Sequence, residues 1–76
     1  MESDTAMNYW PVQSTTLAAV SYSTDRSILE VKFRDGGVYC FFEVPVRLLE
    51  ELLASDSKGA YFNRKIRNTF RFQWVS

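Results

Sequence analysis

Ile28-Leu29-Glu30-Val31-Lys32-Phe33-Arg34-Asp35-Gly36-Gly37-Val38-Tyr39-Cys40-Phe41-Phe42 contains two strands and the turn between them. Leu29, Val31 and Phe33 alternate with the charged Glu30, Lys32 and Arg34, the mark of a half-buried strand. Asp35-Gly36 supplies the positive φ angles of a two-residue hairpin turn. Val38 to Val44, rich in aromatic and β-branched side chains, forms the returning strand. With Asp35-Gly36 as the turn, Phe33 faces Val38, Val31 faces Cys40 and Leu29 faces Phe42. These pairs are all apolar and define a core face, leaving Lys32 with Tyr39 and Glu30 with Phe41 on the other side. A Gly36-Gly37 turn keeps the same faces, and only an odd-length loop exchanges them. On this register Cys40 is a small buried hydrophobe and not a reactive thiol.

Toward the N-terminus, Ser23-Thr24-Asp25-Arg26-Ser27 is a turn by composition and Leu17 to Tyr22 reads as an earlier strand. Tyr9-Trp10-Pro11-Val12 is expected to lie across the domain as an extended anchor, Pro11 arguing against a central strand. Residues 1–8 are polar and acidic without periodicity, a flexible tail, and 9–76 make a single domain.

Toward the C-terminus, Pro45 suits the first turn of a helix, and Val46, Leu48, Leu49, Leu52 and Leu53 give it an apolar stripe. Asp56 or Ser57 serves as N-cap for a second helix from about Lys58 to Arg67. Phe70-Arg71-Phe72-Gln73-Trp74 alternates again and reads as a closing strand. The order β-β-β-α-α-β describes an α+β domain, with two helices covering one face of a small antiparallel sheet.

Composition narrows the chemistry. Seventy-six residues with 46% apolar content support one small core. No apolar run approaches the roughly 18 residues that span a bilayer, and Met1-Glu2-Ser3-Asp4 does not read as a secretory signal. One cysteine fits a reducing compartment, so the expectation is a cytoplasmic protein without membrane contact. The chain has no histidine, and its three glycines form no phosphate loop. Cys/His-type zinc sites are excluded. Glu50 and Glu51, adjacent on a helix, point about 100° apart and form a solvated face, not a catalytic pair. No enzyme activity, metal or cofactor is expected.

Net charge is zero, yet the charges are sorted by position. All nine acids and four of the bases lie at or before Asp56, a net −5. The last 20 residues hold Lys58, Arg64, Lys65, Arg67 and Arg71 against no acid, a net +5. Such an excess is an electrostatic footprint for an anionic partner. Tyr61, set among Lys58, Arg64 and Lys65 at helical spacing, resembles a platform on which a base stacks while phosphates meet the cations; the plainer account is an aromatic packed under a loop. Ser57, Lys58 and Gly59 at the helix start offer an anion site, against ordinary capping by Ser57. Tyr39 and Phe41, on the sheet face away from the core, are a further stacking pair unless the closing strand or Tyr9-Trp10 covers them.

Val20-Ser21-Tyr22, Leu29-Glu30-Val31-Lys32-Phe33, Gly37-Val38-Tyr39, Val44-Pro45 and above all Ser57-Lys58-Gly59-Ala60-Tyr61-Phe62-Asn63 with Ile66-Arg67 resemble the KTSC domain. The resemblance covers about residues 14–75. That family is named for its place at the C-terminus of some lysyl-tRNA synthetases, and it also occurs as a small free-standing bacterial and phage protein. Phe70 meets the family's aromatic after Ile66-Arg67. Its Tyr-x-Tyr is Tyr39-Cys40-Phe41 here, which keeps the ring for stacking and loses one hydroxyl. The resemblance implies a small accessory domain, and attachment to a tRNA-handling enzyme implies RNA as partner. The residues expected to meet nucleic acid are Lys58, Tyr61, Arg64, Lys65, Arg67 and Arg71. With four or five phosphate contacts, log affinity would fall by roughly 3 per tenfold rise in salt. The alternative is a protein-interaction module that meets an acidic protein surface and no nucleic acid. The chain is expected to be a monomer.

Overall fold

The computed structural model describes residues 9–76, so the N-terminal tail lies outside the described residues. Five strands form one antiparallel sheet in the order β1-β2-β3-β4-β5: β1 (Trp10–Pro11), β2 (Leu17–Ser23), β3 (Ile28–Phe33), β4 (Val38–Phe41) and β5 (Phe72–Trp74). Helix α1 (Val46–Ala54) and helix α2 (Lys58–Tyr61), the latter continuing as a π-helix over Phe62–Arg67, lie between β4 and β5. The α+β class and both helices stand as expected. One strand is added, because the Trp10-Pro11 anchor pairs with Val20 and Ala19. It is an edge strand, the place where a residue without an N–H is tolerated.

Local chemistry explains the elements. Pro45, at φ −63° and ψ 144°, sits at the N-cap of α1, where its missing N–H leaves no bond unmade. Leu49 and Leu52 on the apolar stripe are buried, whereas Val46 is exposed. In β2, Leu17 pairs with Phe33 and Ala19 with Lys32, leaving Ala18 as an extra residue. That bulge shifts the strand's phase, which is how Leu17 and Val20, three apart, are both fully buried.

The hairpin register differs from the expected one. Leu29 pairs with Phe41, Glu30 with Cys40, Val31 with Tyr39 and Lys32 with Val38. The loop holds three residues: Gly36 N–H donates to Phe33 O at 3.0 Å, Phe33 N–H donates to Gly37 O at 2.8 Å, and Gly36 takes φ +105°. A turn closed by a residue at positive φ is the usual three-residue hairpin. Its odd length puts Tyr39 and Phe41 on the core face, and Cys40 on the far face beside Glu30. Cys40 is therefore half-buried on the far face and is not a core hydrophobe.

The core lies between the sheet and the helices. Leu17, Val20, Leu29, Val31 and Phe41 meet Val44, Leu52, Phe62 and Ile66, each 3% exposed or less. Gly59 is fixed by packing, since a Cβ there would stand 3.2 Å from Thr16 Oγ1 and 3.5 Å from Ser14 Oγ. The loop before β2 thus seats directly on the start of α2.

Candidate functional site

The strand register that corrects the hairpin also builds a site. Phe41 pairs with Phe72 and Tyr39 with Trp74, so all four rings share the helix-bearing face of the sheet. Phe72 and Trp74 remain 53% and 64% exposed. Five rings close a circuit. Phe33 meets Tyr39 and Phe62 at centroid distances of 5.5 Å, and Phe62 meets Phe41 at 5.3 Å. Phe41 then meets Phe72 at 5.6 Å, and Phe72 meets Tyr39 at 5.7 Å. Three of these contacts are edge-to-face, the arrangement that ring quadrupoles favour.

The circuit lines a groove of about 480 Å³, within the roughly 300–1,000 Å³ typical of small-ligand clefts. Phe41 and Phe62 are its buried floor, while Phe33, Tyr39 and Phe72 are its accessible walls. Thr16, Asp35, Gly37, Arg67 and Asn68 complete the lining. Asp35 is held in place, its Oδ1 accepting the Gly37 N–H at 3.0 Å. Arg67 donates to Asn63 Oδ1 at 3.3 Å, one turn back along the helix. The groove is thus lined by aromatic rings together with an amide, a hydroxyl, a carboxylate and a guanidinium.

The residues singled out from sequence separate in the fold. Arg64, Lys65 and Arg67 are exposed together on the π-helical segment. Lys58 is half-buried, and its ammonium donates to the Ser55 carbonyl at 2.9 Å. Ser57 makes no side-chain cap bond. With the ammonium turned back and Gly59 covered by the Ser14–Thr16 loop, Ser57, Lys58 and Gly59 do not converge on an anion. Arg71 lies over the Phe42 ring at 5.5 Å. Its position one residue before Phe72 puts it on the other side of the sheet from the helix cations.

Two stacking expectations need correction. Tyr61 is only 6% exposed, and its hydroxyl donates to Glu51 Oε1 at 2.6 Å, so it is a core residue and no platform for a base. Burial, then the hydrogen bond and charge of Glu51, push its phenol up to about 12. Phe41 is 3% exposed and belongs to the groove floor. Tyr39 keeps an accessible ring, but on the helix face and as a wall of the groove. Sequence reasoning missed Phe33, Phe72, Trp74 and Asn68. The alternation of Phe72 and Trp74 was a signal that they share a face, but which face depended on a register that the turn misreported.

On the far face, Lys32 Nζ sits 4.5 Å from the Tyr9 ring centroid, and Cys40 Sγ lies 3.4 Å from Glu30 Oε1. Among the described residues, no group of three or more histidine, cysteine or carboxylate side chains stands ready to hold a metal ion. No helix among them is long and apolar enough to cross a membrane.

Comparison with known proteins agrees with this architecture. The family model described as the KTSC domain matches residues 13–70. A protein of Tsukamurella paurometabola is 34% identical over 61 residues, covering 80% of this chain and 91% of that protein. A lysine–tRNA ligase of Nostoc punctiforme is 33% identical over 64 residues, which is 84% of this chain and 11% of the ligase. The crystal structure of a KTSC domain protein from Yersinia pestis superposes with a TM-score of 0.89 at 31% identity, covering 93% of this chain and all of that one.

Proposed function

The chain belongs to the KTSC domain family, and on that premise we propose that it is a small accessory domain that binds RNA through the C-terminal end of its second helix. The observation that carries this reading is the placement of Arg64, Lys65 and Arg67, all exposed on one short helical segment beside an aromatic groove. Glu51, on the neighbouring helix, is bonded to the Tyr61 hydroxyl. An exposed cationic segment next to accessible rings is the combination that single-stranded nucleic acids use, phosphates on the cations and bases on the rings. The relation to a domain that forms part of lysine–tRNA ligases favours RNA as the polymer.

Three phosphate contacts lower log affinity by about 2 per tenfold rise in salt, at about −0.7 per contact for single strands. The test is a titration of labelled protein with a short mixed-sequence single-stranded RNA and with tRNA at low and moderate salt. Shifts centred on Arg64, Lys65 and Arg67 that weaken with salt support the reading. Their absence at low salt defeats it. In the same assay Lys65→Glu with Arg67→Glu abolishes binding without changing the mass of the particle.

The exposed Phe72 and Trp74 on the edge strand, with Val75 just beyond it, favour a second reading, a protein-interaction surface. Under that reading the double charge reversal changes the association of the protein, and RNA is irrelevant.

A further inference from the structure

We propose that the five-ring groove holds one unpaired nucleobase of a single-stranded RNA, with the adjoining phosphate on Arg67. This rests on the RNA reading and adds to it a preference for unpaired bases over duplex. Three features of the groove point to a base. Its volume of about 480 Å³ suits a small planar group, and its accessible walls, Phe72 and Tyr39, offer ring surface to stack on. The amide of Asn68 and the carboxylate of Asp35, both in the lining, can bond to the polar edge of a base. Arg67 belongs to the same lining, a guanidinium available to the sugar-linked phosphate of that nucleotide.

A cage of aromatic rings also suits a quaternary ammonium ligand. Charge argues against it here. The lining holds a single carboxylate, Asp35, against the guanidinium of Arg67, and Arg64 and Lys65 on the same segment as Arg67 add two more cations, so the surroundings of the groove are net positive and repel cations. A duplex is disfavoured for a different reason, since its bases are stacked and paired and offer no free face to the rings of the groove.

The experiment measures fluorescence anisotropy of three labelled RNAs with the full chain: a single-stranded octamer, the same octamer as duplex, and an octamer backbone lacking bases. The base-bearing single strand should bind roughly tenfold or more tightly than the abasic one, in line with base–aromatic stacking elsewhere. Phe72→Ala should lose that preference and keep the salt dependence, whereas Phe72→Trp should keep both. Ring resonances of Tyr39 and Phe72 in the unaltered protein report on the same groove, so a variant that fails to fold would not hide the answer. They should move with the base-bearing strand and stay fixed with the abasic one. Equal binding of both single strands, with the salt dependence intact, overturns the base site and leaves the RNA reading standing. No binding of any strand at low salt removes both. Ring shifts with tetramethylammonium and none with RNA would overturn the proposal in favour of a cationic ligand.

Discussion

The Tyr61 hydroxyl donates a 2.6 Å hydrogen bond to the Glu51 carboxylate and so ties the second helix to the first. Glu51 is exposed and regains water when the hydroxyl is removed. Tyr61→Phe should therefore cost about 1 kcal/mol, below the ~1.5–3 range for bonds to charged partners. Urea denaturation measures this, and a cycle with Glu51→Gln isolates the pair. The RNA affinity of Tyr61→Phe should equal that of the unaltered chain, because the ring faces the core. A large loss of affinity in a stable variant would return Tyr61 to the binding surface.

The same bond sets an alkaline limit. The Tyr61 phenol is raised from 10.0 to about 12 by burial first and by Glu51 second. Below pH 10 the phenol is protonated in both folded and unfolded chains, and its contribution is fully present. Between pH 10 and about 12 the unfolded chain releases the proton and the folded one keeps it, so stability falls as pH rises. Urea midpoints followed across this window should drop more steeply for the unaltered chain than for Tyr61→Phe. Parallel slopes would remove Tyr61 as the cause.

Cys40 should be a slow nucleophile. Partial burial, then the hydrogen bond and charge of Glu30, raise its thiol from 9.0 to about 11. At pH 8 the thiolate fraction falls by about 100-fold relative to an unperturbed thiol, and alkylation slows in proportion. Iodoacetamide labelling followed by mass spectrometry reads the rate. Glu30→Gln should speed it without restoring the rate of a free thiol, because burial remains. A rate equal to that of a cysteine peptide would mean that the thiol stands in water.

Gly36 should resist replacement for backbone reasons alone. It takes φ +105°, and a Cβ added there would meet nothing within 4 Å. Gly36→Ala should cost about 1–2 kcal/mol from the left-handed backbone, and Gly36→Asn less. Thermal melts of the two variants decide this. Equal stability of Gly36→Ala and the unaltered chain would mean that the loop relaxes to another turn.

By itself the sequence determined four of the five strands and both helices. The charged alternation of β3, the Leu stripe of α1 and the ends of the second helix at Lys58 and Arg67 all follow from periodicity and local chemistry, whereas the pairing of Trp10-Pro11 as an edge strand does not. The uncompensated cations of the last 20 residues and the family resemblance were equally legible there. Only the tertiary structure decided which way the sheet's rings face. Asp35-Gly36-Gly37 satisfies a two-residue and a three-residue loop alike, so the local code leaves the parity of the turn open. Burying Phe41 against Phe62 and packing Tyr39 against Phe33, in place of the much smaller Cys40, removes more apolar surface from water and selects the three-residue loop. The same choice builds the groove. The π-helical widening over Phe62–Arg67 and the burial of Tyr61 likewise depend on what packs against the helix, which no period along the chain reports.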